Sequence, residues 1–335
     1  MGVDVVTRIL TEKYLSLNLI RDVRGIYLTP KHIPVLTEEV VKALNLKAEG
    51  TYIDCTLGEG GHTRQILEST DLPVKILGFE LDSTAIKSAK ETLRIYSDQV
   101  VILNASYVEL AKESVNLGVS KVDGVIFDLG LSSLQLGTQD RGFSFRSDSP
   151  LDMRFDQTQE LDAWQVVNRS TEEELTTILK DLGEEPYSKR ISRLIIKSRP
   201  INTTGQLSKV IVQAAGRRVG KIHPSTRSFQ AIRMKVNDEL NNIRKGLDQA
   251  TSMLSEGGRL VVISYHSIED RIVKKYISQA STNCICDPKI IECVCEHKAF
   301  LKSINKKVIK PKLNEIELNP RSRSAKLRVA QKLLD

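Results

Sequence analysis

The sequence predicts a doubly wound α/β sheet with a helical segment inserted into it, and three observations carry that expectation. A short apolar run, Tyr52-Ile53-Asp54, enters a glycine-rich turn, Cys55-Thr56-Leu57-Gly58-Glu59-Gly60-Gly61-His62, that opens a helix. A second apolar run, Val74 to Phe79, ends on Glu80 at the spacing of the next strand. Apolar runs then alternate with amphipathic stretches as far as Asp128, where the rhythm gives way to helical patterning. At 335 residues the chain exceeds one average domain without needing more than a core and an insertion.

Taken in order, residues 1–29 read as a weakly helical extension with no assigned role. Strands are expected at Thr51–Cys55, Val74–Glu80, Gln99–Leu103, Val122–Asp128 and Arg259–Tyr265, and a last one at Lys326–Lys332. Helices fall between the early strands at Leu36–Leu44, Gly61–Glu68, Ser83–Ile95 and Tyr107–Val115. Asp82 is placed to N-cap its helix, and Gly257-Gly258 to end the long helix before the fifth strand. Beyond Asp128, Ser170 with Glu173 reads as a capping box, and Leu175, Ile178, Leu179, Ile191, Leu194, Ile195, Leu207, Val210 and Ile211 supply apolar stripes. The resulting division is a core of 30–130 and 223–335 around an inserted helical unit of 131–222. Loops at the carboxyl ends of parallel strands surround the ligand crevice, so the insertion should border it.

Composition is that of a soluble globular protein, with 40% apolar and 27% charged residues. No apolar run approaches the roughly 20 residues of a bilayer span, and the N-terminus shows no signal or transit pattern, so a cytoplasmic protein without membrane contact is expected. Net charge is +7, and its distribution says more than its size. From Asp140 to Glu185 there are twelve acidic and five basic residues, whereas Pro186 to Lys235 holds twelve Lys or Arg and no acidic residue. Ordinary solvated surfaces intersperse both signs, so a +12 block of fifty residues is better explained by phosphate contact. Phe300 to Arg328 adds nine basic residues against Glu315 and Glu317.

Chemistry concentrates at strand ends. Glycines let backbone approach a ligand closely, although the same residues also make a tight corner. Glu80 stands where a carboxylate can accept ribose hydroxyls, while no Lys-Ser or Lys-Thr follows the glycines and the spacing departs from G-x-G-x-x-G. An adenosine-type cofactor without a pyrophosphate fits best, and S-adenosylmethionine is the commonest. Asp128 ends an otherwise apolar strand, where it either caps the next turn or holds an amino group. Ser264-Tyr265-His266-Ser267 puts His266 at the end of the fifth strand, as a hydrogen-bonding residue or a catalyst. The stretch Arg141 to Arg154 mixes aromatics with arginines and reads as a loop that covers the seam or grips a base. Cys284, Cys286, Cys293 and Cys295 form C-x-C-x6-C-x-C. Those gaps are tighter than the usual zinc spacing, so a reduced thiol cluster or redox-labile loop ranks ahead of a structural zinc, and no metal is expected at the active site.

Assembled, these segments closely resemble the bacterial 16S rRNA (cytosine-N4)-methyltransferase family, the MraW family. The likeness runs from His32 to about Ala330 and rests on DCTLGEGGH at 54–62, DLGLSSLQL at 128–136, RGFSFRSDSPLDMR at 141–154, HPSTRSFQAIRMKVNDEL at 223–240, SYHSIEDRIVK at 264–274 and NPRSRSAKLR at 319–328. The resemblance implies a class I (Rossmann-like) methyltransferase fold with an inserted helical domain, and methylation of cytosine N4 in the decoding region of 16S rRNA. It also implies cofactor contacts from Gly60, Gly61, His62, Glu80, Tyr107, Asp128 and Gln135. Glu80 and Tyr107 stand where the family commonly has Asp and Phe. Asp128 and His266 are the expected catalytic residues, with Arg154 and Arg227 holding the substrate's phosphates. The partner is 16S rRNA or the small ribosomal subunit, and homo-oligomerisation stays open. A nicotinamide oxidoreductase, a methyltransferase of another RNA or a small-molecule amine, and a non-catalytic RNA-binding protein are the competing readings.

Overall fold

The structure, a computed structural model, describes residues 34–137, 140–216, 223–287, 289 and 292–334. The N-terminal extension and His32-Ile33 lie outside the described residues. Seven strands, β1 (Thr51–Asp54), β2 (Lys75–Glu80), β3 (Val100–Asn104), β4 (Val122–Asp128), β5 (Leu254–Ser264), β6 (Leu301–Ser303) and β7 (Lys326–Lys332), form one sheet in the order β3-β2-β1-β4-β5-β7-β6. β1 to β5 run parallel, and β7 runs antiparallel to both β5 and β6. Strand order reverses between β1 and β4, and in such sheets the ligand crevice opens beyond the carboxyl ends at that point.

Alternation along the strands builds two core layers. Val125, Phe127, Leu260 and Val262 face the helices Glu239–Met253 and Ser267–Ala280 through Ile243, Leu247, Ala250, Val273 and Ile277. Ile126, Val261 and Ile263 face the other way, toward Val40 and Leu44 of helix Thr37–Leu44 and Ile66 of helix Gly61–Glu68. A third cluster, including Leu175, Ile178, Leu179, Ile191, Ile195, Leu207 and Ile211, is the core of the inserted unit.

Several boundaries differ from expectation for identifiable reasons. The insertion does not end at 222. Phe229, Ala231, Ile232 and Val236 of helix Ser225–Val236 pack into the insertion's own core, and the chain turns back to the sheet only at Asp238, whose φ is 48°. The capping box falls one residue later than predicted: Thr171 accepts from the Glu174 amide while Glu174 accepts from the Thr171 amide. Both S-x-x-E and T-x-x-E were available in Ser-Thr-Glu-Glu-Glu. Gly257 and Gly258 do not terminate a helix, because helix Glu239–Met253 already ends before them and both lie within β5. Strand β6, three residues long, is too short to leave a periodic signature. Asp82 does cap helix Ser83–Thr92, accepting from the Thr84 amide at 2.9 Å.

Asp270, on helix Ser267–Ala280, pins β7 by accepting from Arg328 Nε at 2.7 Å and Lys326 Nζ at 3.2 Å. Burial pushes its carboxyl up, but the Arg328 and Lys326 charges outweigh that and hold it below its ordinary value. A carboxyl depressed in the folded state stabilises above its unfolded pKa of about 3.9 and loses that contribution as pH falls through the folded value. Asp270→Asn should therefore cost about 1.5–3 kcal/mol at pH 7. In urea titrations, the stability difference from the wild type should vanish toward acid pH.

Candidate active site

β1 and β4 run side by side to the crevice, with Asp54 paired to Ile126 and Asp128 two residues beyond. The turn after β1 is stitched from within: Asp54, 1% exposed, accepts from the Thr56 amide at 3.2 Å and the Thr63 hydroxyl at 2.8 Å. Burial raises the Asp54 carboxyl above its usual range despite these bonds. Thr56 Oγ1 accepts from the Asp128 amide at 2.7 Å and so joins the two strand ends. Gly60, at φ 81°, makes the corner, and a Cβ on Gly61 would lie 2.7 Å from Pro34 Cγ. Gly61 is thus needed for packing on the proline. At Gly58 a Cβ would meet nothing nearer than the Thr56 carbonyl at 3.9 Å, which leaves the turn open above it.

Glu80, at the end of β2, turns back onto backbone: Oε1 accepts from the Leu81 and Asp82 amides at 2.9 and 2.8 Å, and Oε2 from Gly58 at 2.8 Å. A carboxylate has about four acceptor positions, so one on Oε2 remains for a hydroxyl. The additional methylene of Glu relative to Asp is what lets the group reach its own following amides. Burial raises its pKa, with the three amides pulling the other way.

Asp128 is the centre of a polar cluster that the sequence disclosed only in part. Its Oδ1 accepts from the Tyr265 hydroxyl at 2.9 Å, and its Oδ2 lies 3.4 Å from His62 Nε2. That second contact is misaligned: neither ring nitrogen of His62 has a hydrogen-bond partner among the described residues, although the side chain is 7% exposed. Burial pushes the His62 imidazole pKa down, but Asp128 and then Asp54 outweigh it and leave it raised. Tyr265, missed in the sequence, packs its ring 3.3 Å from where a Cβ on Gly130 would stand, which accounts for the glycine in the Asp128-Leu129-Gly130 turn. Burial, then the Asp128 charge, pushes its hydroxyl pKa well up, so it stays a donor to Asp128.

Other expected residues have different surroundings. Tyr107 packs edge-on against Phe127, ring centroids 5.4 Å apart, and over Gly246. A Cβ on Gly246 would come within 2.6 Å of the Tyr107 ring, so Gly246→Ala should displace that ring. Overpacking of this kind costs about 1–3 kcal/mol, more than the roughly 1 kcal/mol a helix gains from Gly to Ala. A lowered melting temperature together with weakened cofactor binding by calorimetry is the expected result. Gln135 caps its own helix: its Oε1 accepts from the Ser132 amide at 3.1 Å. His266 N-caps helix Ser267–Ala280, its Nδ1 accepting from the Glu269 amide at 3.4 Å, while its Nε2 lies 2.9 Å from Glu269 Oε1. Nδ1 is thereby committed to the corner after β5, while Nε2, for all its closeness to Glu269, makes no aligned hydrogen bond among the described residues.

Arg154 is likewise committed. It grips Asp152, with Nη2 to Oδ2 at 2.7 Å, and donates to the Gln159 carbonyl at 2.7 Å. The Arg227 guanidinium donates to the Glu184 carbonyl at 3.2 Å. The residue that ties the Arg141–Arg154 segment to the crevice is instead Arg141, donating to Asp82 Oδ2 at 2.9 Å and to the Arg154 carbonyl at 2.8 Å. Asn237 holds the same segment, donating to the Met153 carbonyl and accepting from the Phe155 amide, each at 2.7 Å. Asp82 as a cap was legible, but its second oxygen's partner, 59 residues on, was not.

An S-adenosine cofactor suits these groups. The glycine turn is open, Glu80 keeps an acceptor position for a hydroxyl, and His62 offers buried nitrogens without partners. Comparison with known proteins agrees. The family model described as the MraW methylase family matches residues 29–333. The chain is 46% identical over 304 residues to ribosomal RNA small subunit methyltransferase H of Dehalococcoides mccartyi, covering 91% of this chain and 87% of that protein. It is 45% identical over 307 residues to the protein of the same name from Clostridioides difficile, covering 90% of this chain and 99% of that one. The protein so named from Halothermothrix orenii is 46% identical over 312 residues, covering 91% of this chain and 99% of that one. With its seven-stranded Rossmann-like sheet, the chain belongs to the MraW methylase family and is an S-adenosylmethionine-dependent class I methyltransferase.

Proposed function

We propose that the protein methylates the N4 amino group of a cytosine in the decoding region of 16S ribosomal RNA. The observation that carries this reading is the Asp128 carboxylate, held on Oδ1 by Tyr265 and only loosely approached on Oδ2 by His62. An exocyclic amine offers N–H donors, and Asp128 Oδ2 offers the acceptor. Cytosine N4 is a weak nucleophile because its lone pair is delocalised into the ring. Accepting a hydrogen bond from it turns the nitrogen toward tetrahedral geometry and frees that lone pair. Bound S-adenosylmethionine supplies an electrophilic methyl group on a sulfonium, so the protein's work is positioning and exclusion of water. N4, once alkylated, is strongly acidic, and Asp128 takes its proton. His266 acts through the backbone corner it caps. The base must reach the crevice from a single strand or by flipping out.

Lys189, Arg190 and Arg193 on helix Ser188–Lys197 are exposed and belong to the acid-free block, as do Arg217, Arg218 and Lys221, which lie outside the described residues. They support an RNA-facing role for the insertion. Replacing all three of Lys189, Arg190 and Arg193 by Gln should weaken RNA binding and make its dependence on log salt shallower by about 0.7 for each phosphate no longer neutralised. An unchanged slope in a binding titration would return these residues to solubility.

Nucleoside mass spectrometry of 16S rRNA from cells with and without the gene tests the function directly. The expected result is one N4-methylcytidine that disappears with the gene and is restored by the purified chain and S-adenosylmethionine. Loss of a different modification, or of none, overturns the reading.

A further inference from the structure

The four cysteines whose spacing suggested a thiol cluster converge between helix Ser267–Ala280 and β6. Their four sulfur atoms all lie within 4.8 Å of one another. Cys293 and Cys295 Sγ are 3.6 Å apart, and Cys295 and Cys284 Sγ 3.9 Å. A disulfide would need about 2.05 Å. Four thiolates on a tetrahedral ion with bonds of about 2.3 Å stand about 3.8 Å apart, and these two separations bracket that value.

The backbone explains how single-residue gaps achieve this. The middle residue of each C-x-C donates its amide to a sulfur of the opposite pair: Ile285 N to Cys295 Sγ and Val294 N to Cys286 Sγ, both at 3.4 Å. Two short turns thus face one another, each steadying negative charge on the other's sulfurs. The loop's ends are closed by Phe300 N to the Ala280 carbonyl at 3.0 Å and Ala299 N to Asn283 Oδ1 at 3.1 Å. Between those clasps the described residues supply no apolar core. None of the described residues from 281 to 300 is buried, and Ile285 and Val294 are 49% and 72% exposed. A segment that buries so little needs a cross-link of another kind.

We propose that Cys284, Cys286, Cys293 and Cys295 bind one zinc ion in a closed tetrathiolate site that folds this loop. Coordination deprotonates the four thiols, releases the protons to solvent and moves no electrons. With every position filled by sulfur, the ion has no place for substrate and acts structurally. A multinuclear iron–sulfur cluster, whose inorganic core stands between the cysteines, does not fit sulfurs this close together.

Elemental analysis of the full chain, purified under reducing conditions without chelator, provides the test. One zinc per chain is expected, falling to background in Cys293→Ser/Cys295→Ser. Exchange with cobalt(II) should give the intense visible bands of a tetrahedral site and thiolate-to-metal charge transfer in the near ultraviolet. The wild-type measurements decide the matter even if the variant folds poorly. Iron in place of zinc, disulfides, or wild-type protein that takes up neither zinc nor cobalt when supplied with it, would overturn the assignment.

Discussion

Asp128→Asn is expected to lower methyl transfer by about 10²–10⁴-fold, the range over which a positioned proton acceptor contributes. The substitution preserves shape and, with its amide oxygen toward Tyr265, can still accept the 2.9 Å hydroxyl bond. The atom that changes is the one facing His62, where an acceptor becomes an NH2 donor. An amine substrate then meets a donor where it needs an acceptor, and its proton has no base. Melting temperature should hardly move, because Thr56 bonds the residue 128 amide and not its side chain. Tyr265→Phe is the comparison that locates the effect. It removes one hydrogen bond to the carboxylate and leaves the base, so a much smaller loss is expected. The two variants should also differ at His62. Asp128 is the largest of the influences raising the His62 pKa, so in Asp128→Asn its titration by NMR should shift down. Near wild-type turnover in Asp128→Asn would remove this residue from the chemistry.

Much of this site was readable because strand ends announce themselves. An apolar run that stops on a carboxylate, as at Glu80 and Asp128, or on a glycine turn, as at Gly60, is a local pattern, and local patterns survive in sequence. Partners joined across long separations do not. Tyr265 and Asp128 are 137 residues apart, and nothing in Ser264-Tyr265-His266 says which of the two aromatic side chains reaches the crevice. The more reactive residue type drew attention to His266, while the structure engages it as a helix cap and gives the carboxylate to the tyrosine. Arg154 shows the same limit. An arginine near aromatics suggests nucleic-acid contact, and only the structure shows Asp152, two residues earlier, and the Gln159 carbonyl engaging its guanidinium. The late end of the insertion has another cause. A helix looks the same in sequence whichever core it serves, and only the packing of Phe229 and Ile232 assigns Ser225–Val236 to the inserted unit.

Arg141→Met should destabilise the protein by about 3–5 kcal/mol, because it leaves the Asp82 charge buried without its partner. Both side chains are nearly inaccessible, 8% and 3% exposed, and the bond between them is 2.9 Å. Asp82 has two tasks: Oδ1 caps helix Ser83–Thr92 and Oδ2 receives Arg141, which in turn holds the Arg154 and Phe155 carbonyls. One guanidinium therefore fixes the 141–155 segment to the strand end that bears Glu80. Asp82→Asn separates the tasks, since its amide oxygen can still cap the helix while the charge is gone. In urea titrations Arg141→Met/Asp82→Asn should be more stable than Arg141→Met alone, because no unpaired buried charge remains. Its activity should stay low all the same: without the guanidinium the segment is free of the β2 end, and KM for RNA should rise in both variants. If the double variant were no more stable than the single one, burial of the Asp82 charge would not be the source of the cost. The arginine's packing on Phe143, 5.7 Å from its ring centroid, would then be the larger contribution.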